Sequence, residues 1–178
     1  SRRVEGLFGR AAAKEAIRRF LQKYHQARWT DADIPIWADD SGKPHPLGPW
    51  HEHTAENIDL SIAHTAKLVV AAVAANARIG IDIEALGRDL SEDFTKGVFT
   101  HEEMELAAHT GEAPTAILRF WCAKEALSKA LGTGIRYSPQ DLRILSIDPV
   151  TGEIRMELLG QWLESFKHLK GHKAVIHS

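Results

Sequence analysis

The stretch Ile79-Gly80-Ile81-Asp82-Ile83-Glu84 constrains this chain more than any other. Isoleucine alternates with Gly, Asp and Glu, the period-2 pattern of a strand with one apolar face and one polar face. Asp82 and Glu84 then project the same way, about 7 Å apart. Two like charges on one face repel unless something positive lies beside them, and a divalent cation is one answer. Oxygen-only ligands favour Mg²⁺, which takes one or two protein carboxylates and fills its octahedron with water and substrate phosphates. The plainer reading is an edge strand whose outer face is solvated, and the strand alone leaves both open.

A third carboxylate lies further along. Arg119–Gly132 reads as a helix, with Ile117, Phe120, Trp121, Leu127 and Leu131 on a buried stripe and Gly132 as its stop. Glu125 and Lys129 share a turn on one flank. Alone they are an i, i+4 ion pair worth roughly 0.3–0.5 kcal/mol. Beside Asp82 and Glu84 they look like a third metal ligand and a lysine that neutralises phosphate.

Gly80-Ile-Asp-Ile-Glu84 followed by Trp121-Cys-Ala-Lys-Glu-Ala-Leu-Ser-Lys129 resembles the paired signature of 4′-phosphopantetheinyl transferases, of the larger pseudodimeric (surfactin-synthetase-activator-like) class. Each half is a weak pattern; the two in this order and at this separation are specific. The resemblance implies an α+β fold of two pseudosymmetric halves, about 1–76 and 77–178, each a small antiparallel sheet packed on a long helix. It also implies transfer of the phosphopantetheine arm of coenzyme A to a serine of an acyl or peptidyl carrier protein in fatty-acid, polyketide or nonribosomal-peptide biosynthesis, releasing adenosine 3′,5′-bisphosphate.

With 178 residues, of which 44% are hydrophobic, the chain can bury a full core as one domain or two intimately packed halves. A net charge of −2 gives no global basic field for nucleic acid or a membrane surface, so an anionic ligand needs local basic residues. The single cysteine, Cys122, permits no intrachain disulfide, and the longest apolar run, Leu68–Ala75, is too short to cross a bilayer. A cytoplasmic protein is the expectation. A chain that starts at Ser1 and enters a helix within a few residues also suggests a domain cut from a larger synthase.

Leu7–Gln26 has apolar residues at helical spacing and reads as a long amphipathic helix. Its Ala13-Lys-Glu-Ala16 repeats Ala123-Lys-Glu-Ala126, hinting at an internal duplication. Ile34–Ala38 is a short strand candidate, Asp39–Pro44 a turn, and Lys43–Glu56 a loop. Ile58–Thr65, Leu68–Ala75 and Ile79–Glu84 suggest an antiparallel meander. Ser91 is a plausible N-cap before Phe94 and Val98, and Thr100-His-Glu-Glu103 fits a capping box opening a helix to about His109. Gly111–Pro114 reads as a break. Leu142–Ile147 and Ile154–Leu159 look like a hairpin, with Ala174–His177 as a last strand.

The resemblance assigns roles residue by residue. Asp82, Glu84 and Glu125 would hold Mg²⁺, with Glu125 and Lys129 at the reacting phosphates. Glu103 falls where the family carries a glutamate base, although the same residue completes the capping box; Glu102 or a metal-bound water compete for the role. Lys124 projects from another part of the helix, toward phosphate or toward solvent. Lys43, in Gly42-Lys-Pro44, and His64, in Ser61-Ile-Ala-His64, match elements that bind the coenzyme's 3′-phosphate, but Ala63 stands where the family has serine. Arg10 matches an arginine at the nucleotide end. The stretch Arg88–Lys96 and the helix after Thr100 are candidates for carrier docking. His51-Glu-His53 lacks companion ligands at zinc spacing and is set aside. Two rivals use the same residues: a Mg²⁺-dependent pyrophosphatase acting on coenzyme A-like substrates, and a docking module that binds coenzyme or carrier without turnover.

Overall fold

Three apolar residues one turn apart, Ala13, Ile17 and Leu21, set the first part of the fold. They are fully buried on helix α1 (Arg2–His25) and form a core with Ile34, Trp50, Ile58 and Leu60. The structure is a computed structural model describing residues 2–26, 28–52, 54 and 56–178. It divides into two units, Ser1–Ile83 with Ser128–Gly134, and Glu84–Leu127 with Ile135–Ser178.

In the first unit, strand β1 (Ile36–Ala38) pairs antiparallel with β2 (Pro44–Pro46), and β3 (Ile58–His64) pairs antiparallel with β4 (Val69–Ala75). Strand β2 lies in a stretch expected to be loop. Two flanking prolines hide the strand in the sequence, and each is tolerated because a three-residue edge strand needs few ladder donors. The register of β3 points Ile58 and Leu60 at the core and leaves Asp59 and Ser61 on the opposite face.

In the second unit, Ser91 caps helix α2 (Glu92–Val98) by accepting from the Phe94 amide. Thr100 caps α3 (His101–Ala108) with the expected box: its hydroxyl accepts from Glu103 N, and Glu103 Oε2 accepts from Thr100 N. Thr100→Ala deletes the first of these bonds, and about 1 kcal/mol of stability should go with it. For a domain of this size that lowers the melting temperature by about 2–4 °C in a thermal scan.

Helix α4 (Ala113–Leu131) begins earlier than the break at 111–114 suggests, because Pro114 sits in its first turn, where no amide is required. Gly132, at φ +82°, ends it, with Thr133 N donating to Ser128 O. Strand β5 (Leu142–Ile147) pairs with β6 (Glu153–Leu158), and after the short helix α5 (Gly160–Ser165) strand β7 (Ala174–His177) joins β6, giving a three-stranded antiparallel sheet. Helix α5 was not expected, being too short to show a period; the fully buried Trp162, whose indole donates to Ser138 O, fastens it. The architecture is α+β with small antiparallel sheets. Among the described residues no helix is long and apolar enough to cross a membrane.

Candidate functional site

In the first unit the segment Ile79–Ile83 is not the third strand of a meander. It makes no backbone ladder. Instead Ile79 N donates to Asp59 Oδ2 at 2.8 Å and Ile81 N to Ser61 Oγ at 3.1 Å. Each partner lies 20 residues earlier, so the segment runs in the same direction as β3 rather than against it. Side-chain oxygens on the outer face of β3 replace the carbonyls that a neighbouring strand would supply.

Asp82 follows this tether, and its Oδ1 accepts from Lys129 Nζ at 2.7 Å. Lys129 is in the first unit because Ser128–Gly134 folds with it. Ser41 Oγ donates to Gly132 O at 2.7 Å, which docks the Gly42-Lys43-Pro44 turn on the end of α4. Lys43 lies so close there that a Cβ at Gly132 would meet its Cδ at 3.2 Å. The Lys43 ammonium pairs with Asp59, 2.8 Å from Oδ1 and 2.9 Å from Oδ2. A cavity of ≈ 200 Å³ brings Lys43, Ser61, Lys129 and Gly134 together, and an open one of ≈ 490 Å³ is lined by Lys43, His45, Asp59 and Arg78. Lys43 borders both. The described residues lining them do not include Arg10, exposed on α1, or His64, exposed at the end of β3.

In the second unit, Glu84 is held by Trp121, whose indole Nε1 donates to Oε1 at 3.2 Å, and by an ion pair with Arg88. Phe94 packs edge-on against the Trp121 ring at 5.0 Å. Trp121, expected only as core, thus orients a carboxylate. Glu125 sits one turn before Lys129 on α4.

Lys124 corrects an expectation. Rather than reaching phosphate or solvent it is fully buried, and its Nζ donates to Glu103 Oε2 (2.8 Å), Val98 O (3.0 Å) and Pro139 O (2.9 Å). Three acceptors match the three protons of an ammonium. Burial pushes Lys124 below the ordinary lysine value, opposed by the adjacent Glu103 carboxylate. Glu103 is 1% exposed, and besides Lys124 and Thr100 N it accepts from Ile144 N at 2.8 Å. A carboxylate so enclosed fits a structural role better than the base role the resemblance suggested.

The three carboxylates that the resemblance names as metal ligands, Asp82, Glu84 and Glu125, offer only oxygen donors, the chemistry that a hard divalent cation prefers. Asp82 and Glu84 are turned to Lys129 and Arg88, and among the described residues no three His, Cys, Asp or Glu side chains are gathered as a metal group. His53, from the loop set aside for zinc, lies outside the described residues.

The family model of the 4′-phosphopantetheinyl transferase superfamily matches residues 78–176, more than half of the chain. This chain belongs to that superfamily. Among similar proteins is a holo-[acyl-carrier-protein] synthase of Dinoroseobacter shibae, 38% identical over 109 residues that cover 56% of this chain and 77% of the relative. One of the same name from Cereibacter sphaeroides is 34% identical over 109 residues, covering 56% and 78%. Another, from Fusobacterium nucleatum, is 39% identical over 70 residues, covering 38% and 57%. The transferase match encloses Asp82, Glu84, Glu103, Lys124, Glu125 and Lys129, whereas Arg10, Lys43, Asp59, Ser61 and His64 precede it. Asp59 and Ser61 were not anticipated as positioners in this transferase. Their signal was present in the polar alternation of Asp59-Leu-Ser-Ile62.

Proposed function

We propose that this chain moves the 4′-phosphopantetheine arm of coenzyme A onto a serine of an apo acyl or peptidyl carrier protein. The serine oxygen forms a bond to the β-phosphorus, the bond from that phosphorus to the bridging oxygen breaks, and adenosine 3′,5′-bisphosphate leaves. The observation that carries the reading is the transferase match enclosing Asp82, Glu84, Glu125 and Lys129. The two lysines on one cavity, Lys43 and Lys129, support it, because phosphoryl transfer rests on positioning and charge neutralisation.

Asp82, Glu84 and Glu125 would hold Mg²⁺, which as a Lewis acid lowers the cost of charge developing on the pyrophosphate. Lys129, which pairs with Asp82, would offer its ammonium to a phosphate oxygen of the coenzyme. Lys43 meets the coenzyme at a phosphate, and His64 and Arg10 bind its nucleotide end. Trp121 and Arg88 orient Glu84. Glu103 and Lys124 fasten the turns of α4 beside Glu125 to the capped start of α3 and to β5. The serine's proton goes to a base other than Glu103, with Glu102 on the exposed side of the same turn the first candidate.

The carrier docks on Arg88–Lys96 and the helix after Thr100, with Leu86, 84% exposed, two residues before Arg88. The chain belongs with the larger, two-halved class. A helix carrying Ala-Lys-Glu-Ala occurs in each unit, α1 with the β3–β4 pair in one and α4 with the β5–β6–β7 sheet in the other.

Mass spectrometry of an apo carrier incubated with this chain, coenzyme A and Mg²⁺, with a chelator control, tests the reading. The expected result is a metal-dependent gain of one phosphopantetheine. Coenzyme A cleaved without any carrier would replace transfer by hydrolysis, and coenzyme binding with no product on several carriers would leave a docking module.

A further inference from the structure

Asp59 has no role in the signature that places this chain in its superfamily, and it lies before the matched residues. Yet it stands between two parts of the site. One carboxylate accepts the Ile79 amide, three residues before Asp82, and also pairs with the Lys43 ammonium. Asp59 and Lys43 are only 16% and 13% exposed, so these contacts are largely shielded from water. Two residues on, the nearly buried Ser61 repeats the device by accepting the Ile81 amide. The segment has no ladder of its own; these two side chains fasten it to β3, and the Lys129–Asp82 contact ties its end to α4.

We infer that Asp59 and Ser61 are positioning residues that hold Ile79–Ile83 in register on β3 and so aim Asp82. The inference rests on the transferase reading for the purpose of that aim, but the tether itself is independent of it. Asp59 serves the segment through its acceptor oxygen and serves Lys43 through its charge, and the two services separate chemically. Asparagine keeps an acceptor for Ile79 N and loses the charge. Alanine loses both.

Amide hydrogen exchange of the full chain, without metal or coenzyme, reads the tether directly. Asp59→Ala should speed exchange at Ile79, and Ser61→Ala at Ile81, by about tenfold, the effect of losing one shielded hydrogen bond. Asp59→Asn and Lys43→Met should leave both amides near wild type. In the transfer assay Asp59→Ala and Ser61→Ala should raise the Mg²⁺ concentration for half-maximal rate by about fivefold or more, because a mis-aimed ligand binds metal less well, while KM for the carrier stays unchanged. Asp59→Asn should restore the metal requirement, which a general loss of packing would not do. If Asp59→Ala fails to fold, Ser61→Ala, which removes a single hydroxyl, carries the same test. Unchanged exchange in Ser61→Ala, or a Lys43→Met variant that reproduces the loosened Ile79 amide, overturns the inference. A wild-type chain with protected amides and no transfer to any carrier refutes the transferase reading and leaves the tether standing.

Discussion

Replacing Asp82 by alanine should reduce metal-dependent transfer by at least about 1000-fold in kcat/KM, a loss of about 4 kcal/mol in transition-state stabilisation. The size follows from what the carboxylate is asked to do. In the proposed site Asp82, Glu84 and Glu125 would hold the cation that neutralises charge on the pyrophosphate, and removing one of these carboxylates would weaken its binding where that charge counts most. Stability should change little. Lys129 keeps 27% of its side-chain surface in water and stays hydrated when Asp82, 11% exposed, is truncated, so no charge is left buried and the loss is about 1 kcal/mol. Circular dichroism and a melt should therefore match wild type while product vanishes. Glu125→Ala should behave alike, since α4 continues past it to its Gly132 stop. Wild-type-like turnover in either variant, at saturating Mg²⁺, removes the metal assignment.

Lys124→Met should instead act on the fold. It leaves Glu103 buried and charged, with the amides of Thr100 and Ile144 as its remaining partners. Removing one member of a buried pair costs about 3–5 kcal/mol. In a chain of this size that is a fall of roughly 6–20 °C in melting temperature. Glu103→Gln in the same chain removes the orphaned charge yet keeps an acceptor for Ile144 N, so the double variant should recover a substantial part of the loss. Denaturant titration of the two singles and the double measures the coupling. A single-variant cost below about 1 kcal/mol, or a double no better than Lys124→Met, contradicts a buried pair. Glu103→Gln alone decides its catalytic part as well: a supporting residue leaves the pH–rate profile unchanged in shape, whereas a base would take away its acidic limb.

The elements whose signals are local were legible. The N-cap at Ser91, the capping box at Thr100, the Gly132 stop, and the β5–β6 hairpin each depend on residues a few positions apart, and each stands where its residues suggested. Three misreadings have non-local or length causes. Ile79–Ile83 has a strand's alternation, but whether it joins a ladder depends on what lies beside it, and side chains 20 residues earlier took its amides. Strand β2 and helix α5 are too short to show a period.

The sequence by itself determined the family and the chemistry on offer, because Gly80–Glu84 and Trp121–Lys129 fix which carboxylates and lysines exist and in what local spacing. It also determined the apolar faces of α1 and α4, since helical period is a property of the chain. Only the tertiary structure decided which of two neighbouring helix residues, Lys124 or Glu125, is sealed inside, for that depends on which side of α4 the rest of its unit covers. It likewise decided that Lys129 meets Asp82, 47 residues away, and that Asp59 joins Lys43 to Ile79. Charge pairing over such separations is set by the packing of apolar faces, which brings the partners together without leaving any pattern in the residues that pair.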